Sequence, residues 1–151
     1  METQQVREHT QRFIDALHAL EASSAEEREQ QVAQMAALFS AEAELVNAAL
    51  KLAGETRRGP EGARRFWSEY RRTFGTARSE FFQITINAQA AGLFWTTRGT
   101  GNDGQPLEYD GASLLVFDEA GQIRLFRGYY DTREAGRAVG VEHQPHRQAQ
   151  R

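Results

Sequence analysis

At Gly75 the spacing of apolar residues changes from three and four to two, and few architectures accept that order. Upstream, Phe13, Leu17 and Leu20 recur at i, i+4 and i+7, with Ile14 and Ala16 widening the stripe, as one buried helix face requires. Glu21-Ala22-Ser23-Ser24 interrupts the stripe. Ser24 with Glu27 three residues on has the pattern of a capping box, which opens a second helix. Val32, Met35, Ala36 and Phe39 form the apolar face of that helix, and Ser40 closes it. Glu44–Leu50 is short and apolar, and periodicity alone leaves it open between strand and helix. After the turn-rich Ala53–Gly59, Pro60 stands where a helix begins and a missing N–H costs nothing. Ala63, Phe66, Trp67, Tyr70 and Phe74 give this third helix an aromatic face, which Gly75 ends.

Downstream, Phe82, Ile84, Ile86 and Ala88 alternate with Gln83, Thr85, Asn87 and Gln89, the signature of a half-buried strand. Leu93–Gly101, Leu107–Phe117 and Ile123–Tyr130 read as three more strands. Gly101-Asn102-Asp103-Gly104 and Glu119-Ala120-Gly121-Gln122 join them tightly, so the three form an antiparallel meander. Asp131-Thr132-Arg133-Glu134 is a second capping-box pattern before a short final helix. Helices first and strands last predict an α+β fold, with helices covering one face of an antiparallel sheet. There is no internal repeat and no low-complexity segment. One domain over residues 1–140 is expected, followed by a flexible tail over 141–151.

Composition bounds the function. With 151 residues, 40% of them apolar, the chain is long enough to bury a real core. No cysteine is present, which removes disulfides, thiolate metal sites and a cysteine nucleophile. The net charge of −3 and a pI near 5.8 give no reason to expect nucleic acid, whose binding domains have a pI above ~9. No run approaches the ~18 apolar residues of a membrane helix, and Met1–Arg12 is too polar for a signal peptide, so no membrane partner and a cytoplasmic location are expected. His143 and His146 stand in the polar tail without the convergent ligands a metal needs. The arginines around the third helix are interleaved with Glu61 and Glu69 and read as a solvated face. No phosphate-cradling glycine loop and no Ser-His-Asp arrangement is present, and no cofactor or metal is expected.

Two helices, a short strand, an aromatic helix opened by Gly-Pro and a long meander, with the hairpin Leu115–Ile123 running into Phe126-Arg127-Gly128-Tyr129-Tyr130-Asp131, resemble the nuclear transport factor 2-like superfamily. The resemblance covers about Gln11 to Ala138 and implies a cone-shaped roll around a pocket. It also implies a homodimer through the outer face of the sheet, with Leu93, Trp95 and Thr97 expected in that interface. The superfamily hosts isomerases, polyketide cyclases, epoxide hydrolases, dehydratases and silent binding domains, so the fold does not fix the chemistry. Limonene-epoxide-hydrolase-like members match here at Asn47, Arg98 and Asp131. They depart at Leu45, which stands in place of a Tyr, and at Thr100, which stands in place of the acid. Ketosteroid-isomerase-like members would need a Tyr where Phe13 stands and an Asp where Asn47 stands. Polyketide cyclases of the SnoaL type are neither matched nor excluded.

On this reading Asp131 is the candidate general base, with Arg98 holding it ionised or stabilising an oxyanion and Asn47 orienting water. With Thr100 in the acid position, Tyr109, Tyr129 or Glu108 is the substitute donor. Phe13, Leu45, Phe66, Trp67, Tyr70, Thr100, Tyr109 and Tyr129 are the expected pocket lining. The competing readings make Asp131 a helix cap, Arg98 its structural partner, Asn47 a strand-end residue and the aromatic face plain core. The expected function is acid–base hydrolysis, isomerisation or cyclisation of a small apolar oxygenated molecule without a cofactor. A non-catalytic binding or dimerisation module of the same fold is the alternative.

Overall fold

The structure is a computed structural model that describes residues 1–138. The expected tail over 141–151, and the end of the expected domain at 140, lie outside the described residues. Two helices come first. In α1 (Thr3–Glu21), Val6, Phe13, Ile14, Leu17 and Leu20 are buried along one face. The box at Ser24 and Glu27 forms: the Ser24 N–H donates to Glu27 Oε1 at 3.0 Å and the Glu27 N–H to Ser24 Oγ at 3.4 Å. It closes the turn before α2 (Arg28–Ala36), which buries Val32, Met35 and Ala36.

The ambiguous Glu44–Leu50 stretch belongs to two elements. It finishes β1 (Phe39–Val46), and it begins α3 (Ala48–Ala53) after Asn47, whose Oδ1 accepts the Leu50 N–H at 2.8 Å. Gly54 ends α3 at φ +71°, a left-handed cap that a side chain would strain. Next come β2 (Arg57–Arg58) and α4 (Gly59–Arg72), with Pro60 in the first turn as its missing N–H allows. The helix stops three residues before Gly75, which lies inside β3 (Phe74–Ile86). β4 (Ala90–Gly101), β5 (Pro106–Phe117), β6 (Ile123–Tyr130) and α5 (Thr132–Ala138) complete the described chain.

The sheet order is β2-β1-β6-β5-β4-β3, curved and unclosed. Strands β3 to β6 form the antiparallel meander, whereas β1 lies parallel to β6, so the sheet is mixed. A parallel neighbour needs a long connection, and here α3, α4 and four strands intervene. Helices α1 and α4 pack on this sheet, α1 against β3 and β4 and α4 against β1. Between them Trp67 meets Phe13, Phe66 and Phe126 with ring centroids 5.8, 4.8 and 5.1 Å apart, at the tilts aromatic pairs prefer.

Two faces differ from expectation. In β3 the register shifts between Phe81 and Gln83, and around this bulge Phe82 and Ile84 are exposed while Phe81 and Ile86 pack on the core. An extra residue breaks the alternation, so an unbroken stripe does not follow. In β4, Leu93 and Thr97 are buried under the helices and Trp95 packs on the core, so these three do not belong to an outer interface. The outer face carries Phe94, Thr96 and Arg98 instead, the one-residue inversion that a period of two permits.

Candidate functional site

The helices and the concave face of the sheet do not fully meet. Between them is an open cavity of about 510 Å³, within the ~300–1,000 Å³ usual for small-molecule sites. Phe13 and Leu17 of α1 and Phe66, Trp67, Glu69 and Tyr70 of α4 form one side. Inward positions of the sheet, among them Ser79, Phe81, Trp95, Thr97 and Tyr109, form the other, with Ser113, Phe126, Gly128 and Tyr130 beside them. Ala49, Leu50 and Leu52 of α3 and Thr132 and Ala135 of α5 border it as well. Leu52 is 77% exposed while lining the cavity, which puts α3 at the mouth. Gly111 makes one wall possible: a Cβ there would stand 2.4 Å from the Trp95 ring, so its absence lets the indole lie against the sheet. The Trp95 Nε1–H donates to Ser113 Oγ at 3.0 Å.

One part of the wall is polar, and a carboxylate stands behind it. Glu21, the last residue of α1, is only 3% exposed. Its Oε2 accepts the Tyr70 hydroxyl at 2.7 Å and the Ser79 hydroxyl at 2.6 Å, and its Oε1 accepts the Ser79 N–H at 2.9 Å. Ser79 Oγ lies 2.7 Å from Thr97 Oγ1, and His18 contacts the Ser79 carbonyl at 2.8 Å. Tyr70, Ser79 and Thr97 all line the cavity. Burial, then the Glu21 charge, pushes the Tyr70 phenol well above its usual range. Burial also raises the phenols of Tyr109 and Tyr130, so all three remain neutral at ordinary pH. Arg71, buried beside Tyr70, donates to the carbonyls of Phe74 and Ser23 at 3.0 and 3.2 Å.

The residues expected from sequence scatter relative to this cavity. Phe13, Phe66, Trp67, Tyr70 and Tyr109 line it, as does Asn47, whose carboxamide oxygen is engaged as the α3 cap. Asp131 does not line it. Its carboxylate turns back onto Arg133, accepting the backbone N–H at 2.9 Å and the guanidinium at 3.2–3.3 Å, and these bonds hold it below the usual carboxylate range. Asp131 is therefore a cap at the start of α5, with its carboxylate on Arg133 and outside the cavity. Arg98 points to the outer face, where it pairs with Glu80 and with Glu108 at 2.9 Å, and never meets Asp131. Glu108 is thereby placed on the outer face as well. Thr100 sits outside the cavity with its hydroxyl 3.0 Å from that of Thr76. Leu45 is fully buried core, and Tyr129 is 50% exposed while its neighbour Tyr130 lines the wall.

Sequence reasoning missed Glu21, Ser79, Thr97, Ser113 and Tyr130. Glu21 alone had a signal: it stands four residues after Leu17, a charge on the apolar stripe of α1. Among the described residues no group of three or more His, Asp or Glu is placed to hold a metal ion. No helix there is long and apolar enough to cross a membrane.

No curated protein matches the sequence significantly. Solved structures share the fold. An NTF2-like protein of unknown function from Burkholderia pseudomallei K96243 superposes with a TM-score of 0.73 at 14% identity, covering 89% of this chain and 97% of that one. TerC, co-crystallised with polyporic acid, gives 0.72 at 13% identity over 90% and 98%. An NTF2-like protein of unknown function from Exiguobacterium sp. 255-15 gives 0.64 at 18% identity over 82% and 98%. Likeness at such identities concerns the fold alone. A family model described as a SnoaL-like domain matches residues 10–126, most of the chain. Helices on a curved mixed sheet, a cavity between them and this match together make the chain a member of the SnoaL-like family, within the NTF2-like fold.

Proposed function

We propose that the chain is a small-molecule enzyme that takes an apolar, oxygenated compound into the cavity and isomerises or cyclises it by acid–base steps carried by side chains alone. The observation that carries this reading is a polar pole in a largely aromatic cavity: Tyr70, Ser79 and Thr97, wired by short hydrogen bonds to the buried Glu21. A buried carboxylate with directed hydroxyls costs stability unless fully satisfied, and such arrangements concentrate at functional sites. The co-crystal of TerC with polyporic acid is a precedent for a small organic compound with this fold. Hydrolysis of an epoxide loses support, since Asp131 and Arg98 stand apart.

The test is a screen of enolisable ketones, hydroxylated aromatics and small epoxides by thermal shift, followed by mass spectrometry for conversion. A stabilising compound is expected, converted by the wild type and bound much more weakly by Ser113→Phe, which puts a ring into the cavity wall. Absence of any ligand in the first two classes would remove the reading.

Binding without turnover is the second reading, favoured by one observation. Glu69 is the carboxylate that itself lines the cavity, and Arg57 and Arg65 hold it. A ligand bound tightly and recovered unchanged selects it. Pairing of two copies over the outer face of the sheet is part of the proposal. Sedimentation should then give about twice 17.0 kDa, and a monomer mass removes this part.

A further inference from the structure

The polar pole has a direction. A carboxylate only accepts hydrogen bonds, and each contact given to Glu21 comes from a group that donates. The Tyr70 proton is therefore engaged by Glu21 Oε2. Ser79 has one hydroxyl proton, and its 2.6 Å contact engages that with the same oxygen. Ser79 Oγ then has only lone pairs for Thr97, so the 2.7 Å contact between them is donated by Thr97. All three hydroxyl protons thus run away from the cavity toward Glu21. What Tyr70 and Thr97 keep free for the cavity is lone pairs. Burial keeps the Tyr70 phenol from ionising, so this polarity persists at ordinary pH. Elsewhere on the wall Ser113 accepts from Trp95 and retains its own proton, so the pole differs from its surroundings.

We propose that the Tyr70–Thr97 pole recognises the hydrogen-bond donor of its ligand, an enol, phenol or alcohol O–H, and that Glu21 is the positioning residue that imposes this preference through Tyr70 and Ser79. The inference rests on the reading of the cavity as a ligand site. It also supplies a route for the ligand's proton. As the ligand O–H bond breaks, its proton joins Tyr70 Oη, and the proton leaving Tyr70 joins Glu21 Oε2. The ligand is left as an oxyanion, Tyr70 is again a phenol and Glu21 is neutral. A ketone offers no such proton and meets lone pairs with lone pairs.

Three probes of one skeleton test this: 2-naphthol, 2-methoxynaphthalene and 2-acetylnaphthalene, with dissociation constants from titration calorimetry. Wild type should bind the naphthol about tenfold more tightly than either of the others, the worth of one well-made buried hydrogen bond. Glu21→Gln supplies N–H groups that donate to Tyr70 or Ser79 and turn a hydroxyl proton back to the cavity, so the naphthol-to-ketone ratio should fall by about tenfold. Tyr70→Phe keeps Glu21 and deletes an acceptor, and should weaken the naphthol several-fold with the ether unchanged. It stands in if the Gln variant does not fold. Equal or tighter binding of the ether or ketone by wild type overturns the inference and leaves the cavity as a ligand site. A folded Gln variant with the wild-type order overturns the role of Glu21. Binding of none of the three overturns the cavity reading and the inference with it.

Discussion

Replacing Tyr70 by Phe removes one of three donors from the Glu21 carboxylate without opening a cavity of any size. A buried charged acceptor that loses a partner costs about 1–3 kcal/mol, so urea unfolding should show a loss of that order. An unchanged midpoint would mean that Ser79 alone satisfies Glu21. The tyrosines make a second residue-scale prediction. Burial raises the phenols of Tyr70, Tyr109 and Tyr130, while unfolded tyrosines ionise near pH ~10. Above that pH the unfolded chain releases protons that the folded chain retains. Stability therefore falls from about pH 10 toward the folded values, and these groups add no such slope below it. Absorbance titration should find three of the four tyrosines protonated past pH ~10 in the native chain, and ionisation of all four together there contradicts the burial. Some of the site was visible at this scale. Phe66, Trp67 and Tyr70 line the wall because a helix places i, i+1 and i+4 toward one side. Asp131 was ambiguous because a cap and a base are the same side chain in the same place in the chain, and only the direction of its carboxylate separates them.

The short helix α3 is held chiefly at its two ends, since none of its residues is fully buried and Leu50 is its one hydrophobic residue packed on the core. Asn47 caps the start and Gly54 the finish. Asn47→Ala should cost about 0.5–2 kcal/mol, most of it local to α3. Hydrogen exchange should then quicken at Lys51 and Gly54 while the core strands keep their protection, and uniform loss of protection would show that α3 is coupled to the whole. The strands were legible as strands, but alternation defines two faces without saying which one is inward. Arg98 illustrates the consequence. A match placed it toward the cavity, yet Leu93, Trp95 and Thr97 on the same strand are the residues the helices cover, and the arginine finds Glu80 and Glu108 outside. The bulge at Phe81–Gln83 was equally hidden, because an inserted residue leaves no mark in a pattern of two.

At the scale of the molecule, the order of elements was enough to announce helices packed on a sheet, and the match over residues 10–126 places the chain in its family. The parallel pairing of β1 with β6 was not legible, since each strand is short and nothing in either names a partner far along the chain. That pairing predicts an order of events in folding. Val46 and Arg127 are far apart in the chain, so bringing them together carries a high entropic cost, and this contact is predicted to close late. Asn47, Phe126, Gly128 and Tyr130 of the cavity wall lie on or beside those two strands. If that closure comes last, the binding site it completes is absent at the folding barrier. A ligand should therefore slow unfolding in proportion to its affinity and leave the refolding rate untouched, acting as a latch on a door that the chain has already shut.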